Sequence, residues 1–220
     1  LADIALKNRE LFIELQNICD IDYVPTKYVS FAHDNETYKA LEASKSWSDA
    51  FMVEKVDFRK EISPYFNNNL DTYSAALITN DCWQATPGKV LDLLRKIGIE
   101  KGGQVLEDCE LIDLQREGKN VIALVKTHTG EFVEYETEHF VNALGNESSK
   151  FAKKLGLEIG LYPVKHQAFI TRRLPLLGKD GKTLDMLIDR RQYKGFSAVY
   201  GQQLATTGQI IGCASPLIDA

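Results

Sequence analysis

Side chains able to do chemistry are spread thinly along this chain. Four cysteines, Cys19, Cys82, Cys109 and Cys213, stand far apart, with no Cys-x-x-Cys pair and no histidine close by in sequence. Zinc sites and redox dithiols need ligands at short, fixed spacings, so this pattern points to neither. Separated thiols in an acidic chain suit a reducing cytoplasm better than a disulfide framework. His33, His128 and His139 each lie alone near turn residues, where surface placement is expected. The net charge is −5, and basic residues come only in doublets such as Lys153-Lys154 and Arg190-Arg191. A nucleic-acid footprint needs denser positive charge on one face, so that class of partner is not expected. Arg190 and Arg191 directly follow Asp189, which leaves open a solvated ion pair or a grip on an anion.

The elements that must position these residues can be read from periodicity. Residues 1–19 place Ile4, Leu11, Leu15 and Ile18 on one stripe, the spacing of a surface helix packing inward. Tyr23 to Ala32 reads as extended, broken at Pro25 into two short pieces. Asp34 or Asn35 caps a helix running to about Trp47. Phe51–Val56 is a short strand, Asp57 caps a turn ending near Pro64, and Leu70–Thr79 has strand character. A helix starts at Pro87 and runs to about Ile99, closed by Gly102 and Gly103. Strands follow over 104–109, 111–115, 120–127 and 132–136, with glycine turns at Gly118 and Gly130. His139–Ala143 is short and apolar and is broken by Gly145, and Ser148–Leu155 is a helix with Gly156 as its C-cap. Tyr162–Thr171, Leu184–Asp189, Phe196–Tyr200 and Gln209–Cys213 all look extended. No internal repeat is present, and helices mixed with antiparallel strands predict an α+β architecture. No apolar run approaches the ~20 residues that span a bilayer, and residues 1–16 are too mixed for a signal peptide. The chain opens on Leu1, already inside a helix, which suggests a piece of a longer protein.

From Val141 onward the order of residues resembles the D-amino-acid oxidase-like flavoproteins. Val141-Asn142-Ala143-Leu144-Gly145, then Ser148 and Leu155-Gly156-Leu157, is similar to that family's Ala-x-Gly turn, short helix and Gly-Leu. Pro163-Val164-Lys165-His166-Gln167, running into Phe169-Ile170-Thr171, resembles its Pro-Val-basic-x-Gln strand. Upstream, Trp83–Val90 resembles the family's helix opening at a proline, Glu107–Leu114 the strand after it, and Val56-Asp57 to Pro64-Tyr65 an acidic segment before a proline. Glycine oxidase, sarcosine oxidase and dimethylglycine dehydrogenase are relatives in that family. The resemblance implies a mixed-sheet substrate-binding domain over 1–80 and 161–220, and part of an α/β FAD-binding domain over 81–160. The family's Gly-x-Gly-x-x-Gly turn, which holds the FAD pyrophosphate at a helix N-terminus, is not in the chain, and Gly98–Gly103 has the wrong spacing. This segment alone is therefore expected to bind FAD weakly or not at all.

What the resemblance implies for single residues is specific enough to test. The position of Leu111 offers its backbone N–H and C=O to the adenine ring; a core strand residue explains a leucine there equally well. Ala143, Leu144 and Gly145 fall where the family's chain approaches the cofactor, with an ordinary left-handed turn as the alternative. A flavin amine oxidase needs an apolar, partly aromatic pocket with a cation for a carboxylate, and the flavin itself takes the hydride. His166, Arg191, Tyr193 and Tyr200 are the candidates, with Arg191 best suited to bidentate carboxylate binding. Three functions follow. The first is oxidation of a small amine or amino acid. The second is oxidation of a 2-hydroxy acid or glycerol 3-phosphate, and the third is non-catalytic ligand binding or docking.

Overall fold

The computed structural model describes residues 2–45, 50–58, 72–174, 184–191, 195–204 and 207–216. Four α-helices and ten strands are formed among them: α1 (Ala2–Ile18), β1 (Val24–Ala32), α2 (Asn35–Ser44), β2 (Ala50–Glu54), β3 (Ala75–Gln84), α3 (Pro87–Glu100), β4 (Glu110–Glu117), β5 (Asn120–Lys126), β6 (Phe132–Thr137), α4 (Ser148–Lys154), β7 (Gln167–Ile170), β8 (Met186–Asp189), β9 (Phe196–Gln203) and β10 (Ile210–Pro216). Seven strands make one mixed sheet in the order β2-β3-β1-β8-β9-β10-β7, and β4-β5-β6 make a second, antiparallel sheet. The architecture is α+β, as expected. The chain divides into two compact units, residues 1–96 with 165–220, and residues 97–164.

In the first unit the seven-stranded sheet has two unlike faces, because successive side chains alternate. Val29 and Phe31 of β1 join Val53, Ala76, Ile78 and Phe58 on one face. Ala32, Ala50, Ala75 and Leu77 lie on the other, under Leu41 and Tyr38 of α2. Helix α2 starts where its cap requires. Asp34 Oδ1 accepts the Thr37 N–H at 2.8 Å and Thr37 Oγ1 accepts the Asp34 N–H at 3.2 Å; the Thr37 hydroxyl, donating to Asp34 Oδ1 at 2.6 Å, and then the Thr37 N–H hold the Asp34 carboxyl below its ordinary pKa. Pro87 opens α3, and Asp22 ties that end down. The buried Asp22 carboxylate accepts from Thr86 Oγ1 at 2.6 Å and from Lys89 Nζ at 2.8 Å.

Several expectations are corrected here. β1 is one nine-residue strand rather than two pieces. Pro25 pairs only with Trp83 of β3, because β8 reaches β1 at residues 28–31, so no second ladder needs the missing N–H. A register irregularity falls between Thr26 and Tyr28. The α1 stripe is not packed along its length: Leu15 is buried, while Ile4, Leu11 and Ile18 are exposed. Residues 55–57 form a 3-10 turn that contains Asp57 instead of being capped by it, with Glu54 at the N-cap position making no side-chain cap, and residues 59–71 and Trp47 lie outside the described residues. Strand β3 begins at Ala75.

The second unit builds a smaller core. Leu114 and Ala123 pack on Phe151 of α4, flanked by Leu111, Val121, Phe140, Leu144 and Leu155. Helix α4 ends in a Schellman motif: the Gly156 N–H bonds the Lys153 carbonyl and the Leu157 N–H bonds that of Ala152, with Gly156 at φ 77. Residues 104–109 are irregular instead of extended, because Asp108 takes a left-handed φ of 54 and the ladder starts only at Glu110. Residues 139–143 are likewise irregular: the Thr137 hydroxyl bonds both the His139 N–H and its carbonyl, which turns the chain out of β6. In the first unit, the extended run expected from Tyr162 is realised only as β7.

Candidate functional site

Away from α2, the first unit's sheet changes character along the face that carries Val29 and Phe31. There the core gives way to a cavity of about 360 Å³, toward the small end of the roughly 300–1,000 Å³ usual for ligand pockets. Phe31, Tyr73, Leu187 and Phe169 wall it, with Gly201 and Gly212 in its floor. The pairing explains why these residues meet. Phe31 faces Asp189 across the parallel β1–β8 ladder, Leu187 faces Gly201, Gly201 faces Gly212, and Gly212 faces Phe169. All of them therefore project from the same side of the sheet.

One edge of the cavity carries a polar cluster. Tyr73 Oη donates to Asp189 Oδ2 at 2.9 Å, and Arg191 Nε donates to the same oxygen at 2.7 Å. The Arg191 main-chain N–H donates to Asp189 Oδ1 at 2.9 Å, so the loop after β8 folds back on its own carboxylate. The guanidinium lies 5.1 Å from the Tyr73 ring centroid, and Tyr73 stacks on Phe31 with centroids 4.3 Å apart. The Asp189 side chain is 12% exposed and that of Arg191 32%, so the pair is largely shielded from water. Such a carboxylate–guanidinium pair, braced by a phenol, holds a cation in one orientation at the edge of an apolar space.

The other sequence candidates fall in different places. Tyr200 belongs to β9, but alternation sends its side chain to the face opposite Gly201, where Cys213 is its direct partner on β10. Its phenol is pushed above the ordinary value, chiefly by a hydrogen bond with Cys213 and then by burial. His166 stands on that same side, its Nδ1 3.8 Å from Cys213 Sγ. Tyr200 is nonetheless among the residues that line the cavity. His166, Tyr200 and Cys213 thus form their own cluster, separate from Arg191, and Tyr193 lies outside the described residues. Among the described residues no group of three metal-ligating side chains occurs. His128 and His139 are exposed, whereas His33 is half-buried, with Nε2 3.0 Å from Asp34.

In the second unit, Leu111 and Leu144 both turn their side chains into the core around Phe151, which leaves only their main chain for any ligand. Ala143 and Gly145 are exposed. Gly145 has φ 56, and a Cβ there would meet nothing within 4 Å, so its backbone stands open to close approach. Main-chain contact with a flat ring system is compatible with this segment.

Sequence reasoning missed Tyr73, Asp189, Phe169 and the glycine pair. Tyr73 and Asp189 are 116 residues apart, and no local pattern links them. A glycine inside a strand does signal a close approach, and Gly201 and Gly212 carried that signal.

A mixed seven-stranded sheet with α2 over one face, and a separate three-stranded antiparallel sheet, is an architecture shared with several solved structures. L-proline dehydrogenase from P. horikoshii superposes with a TM-score of 0.71 at 22% identity, over 96% of this chain and 55% of that one. Glycine oxidase from Geobacillus kaustophilus gives 0.74 at 17% identity, over 99% and 57%. L-alpha-glycerophosphate oxidase from Mycoplasma pneumoniae gives 0.64 at 14% identity, over 90% and 52%. The chain spans a little over half the length of these proteins. No curated protein matches it in sequence. The profile of the FAD dependent oxidoreductase family (DAO) matches residues 1–203, and the chain belongs to that family. No helix among the described residues is long and apolar enough to cross a membrane.

Proposed function

We propose that the protein containing this chain oxidises a small amine or amino acid with FAD as electron acceptor. In this reading the first unit is the substrate-binding domain and the second is part of the FAD-binding domain. The observation that carries it is the aromatic-walled cavity whose lining residues Tyr73 and Asp189 hold the Arg191 guanidinium. FAD supplies the two-electron acceptor when bound. The chain's own residues do the positioning. Tyr73 and Asp189 orient Arg191 toward a substrate carboxylate, while Phe31, Leu187 and Phe169 shield the amine from water. Main chain at Leu111 and at Ala143, Leu144 and Gly145 is the part that approaches the cofactor. A phosphate-bearing substrate fits less well, because a dianion asks for more positive charge than one guanidinium already shared with Asp189 offers. The pyrophosphate-binding glycine turn is not among these residues, so this segment by itself holds FAD weakly or not at all. Four free thiols support a reducing, cytoplasmic setting.

The test is the visible spectrum of the intact protein with and without a panel of amines. Anaerobic bleaching of the flavin bands by an amine of the panel, which runs from glycine, sarcosine and proline to leucine and phenylalanine, is the expected result. Bleaching by glycerol 3-phosphate alone favours the second substrate class. A colourless protein that gains no flavin band on adding FAD sinks the proposal and leaves a binding domain.

A further inference from the structure

Gly201 and Gly212 face each other across β9 and β10, and both line the cavity. Glycine weakens a strand interior, since it loses more backbone entropy on folding and brings no side chain to pack. Each therefore calls for a physical reason. At Gly212 the reason is steric: a Cβ would stand 2.4 Å from Phe169 Cζ and 2.6 Å from Cε1, because the ring occupies that space. Gly201 has no such reason. Its φ is outside the left-handed region, and a Cβ would meet only the Ile211 carbonyl oxygen at 3.5 Å and Ile210 Cγ2 at 3.9 Å. Both are ordinary van der Waals contacts. The fold has the room and the backbone geometry for alanine at this position, and the volume left by its absence belongs to the cavity.

We infer that Gly201 is a specificity-determining position, which keeps open the part of the floor where the substrate's substituent lies. Its surroundings define the chemistry of that substituent. Leu187 flanks it on β8, Ile210 stands beside it on β10, and the Phe169 ring covers the neighbouring Gly212. These neighbours are apolar, and Gln203, the next side chain on this face of β9, is engaged by the Leu184 N–H. The substituent they favour is therefore a branched aliphatic or aryl group rather than the hydrogen of glycine; Asp185 and Asp189 line the same cavity. The identity of the ligand as an amine rests on the proposed function; the volume over Gly201 does not.

The experiment compares wild type with Gly201→Ala and Gly201→Val in the intact protein. Anaerobic flavin bleaching is followed with glycine, leucine and phenylalanine, and thermal shifts are recorded with acetate, isovalerate and phenylacetate, which bind without being oxidised. A side chain in the floor should lower the ratio of kcat/KM for phenylalanine over glycine about tenfold or more, the scale at which pocket methylenes discriminate. The effect should sit in KM and be larger for valine than for alanine. Gly201→Ala should melt no lower than wild type, a result that a structural glycine would not give. If no amine bleaches the wild type but the acid series still loses its larger members in the variants, the amine reading fails and the floor assignment stands. Unchanged ratios and unchanged acid preference in Gly201→Val overturn the inference, as does a wild type that responds to none of the six compounds.

Discussion

The polar cluster at the cavity edge makes the most demanding prediction. In Asp189→Ala, four donated hydrogen bonds lose their acceptor: two from the Arg191 guanidinium, one from its main-chain N–H and one from Tyr73. Bonds to a charged group contribute about 1.5–3 kcal/mol each in isolation, but they share one acceptor and the freed guanidinium is 32% exposed, so water recovers part of the loss. The expected cost is about 3 kcal/mol, near the lower end for a broken buried pair. Tyr73→Phe removes one of those bonds, together with the 3.2 Å bond its hydroxyl accepts from Arg191 Nη2, and keeps the stacking on Phe31, so it should cost about 1 kcal/mol. If both act through the same carboxylate, the double variant costs about 3 rather than about 4 kcal/mol, a coupling of roughly 1 kcal/mol. Urea titration followed by tryptophan fluorescence measures this, with Asp189→Ala lowering the midpoint by about 1.5 M at a slope of about 2 kcal/mol/M. Additivity within about 0.3 kcal/mol would refute the shared-acceptor reasoning.

Other perturbations separate the two units and the roles of their glycines. Phe151→Ala empties the middle of the second unit's small core and should cost about 3–5 kcal/mol, seen as lost amide protection in β4, β5 and β6 by hydrogen exchange. Gly156→Ala forces a side chain into a left-handed φ of 77 and should cost about 1–2 kcal/mol, read from the melting temperature, in contrast to Gly201→Ala. The Lys89 ammonium is held above its ordinary pKa, chiefly by its hydrogen bond to Asp22. Its contribution is whole below the unfolded lysine pKa and is lost as pH rises through the raised folded value. Stability should therefore fall at alkaline pH, and fall less in Lys89→Met; identical alkaline profiles for the two proteins would remove Asp22–Lys89 as the cause.

Much of the fold was legible in the residues because it depends on neighbours a few positions away. Asp34 with Thr37 caps α2, Pro87 opens α3, Gly118 and Gly130 turn the hairpins, and Gly156 closes α4; in each case the partners lie within about six residues. Where local reading failed, a local conformation outside the expected pattern or a missing neighbour was the cause. Asp108 in the left-handed region delays β4, and β8 stops short of Pro25 and so spares β1 a break.

The sequence by itself determined the family, the α+β class and most element positions, since ordered short motifs and periodicity survive without knowledge of strand partners. It also placed Arg191 among four candidates, as the one best suited to grip a carboxylate, while its position just after Asp189 left a solvated pair open. Only the tertiary structure decided where that arginine is held, because Tyr73 meets Asp189 across 116 residues that no local pattern links. The same sheet sent His166 and Tyr200 to the face opposite the cavity: a side chain's face depends on register, and one residue of register exchanges the two faces. Gly201 makes the division plain. The expected strand stopped at Tyr200, one residue short of it, and whether this glycine makes way for a ring, as Gly212 does, or for a ligand could be told only from the atoms around the missing Cβ.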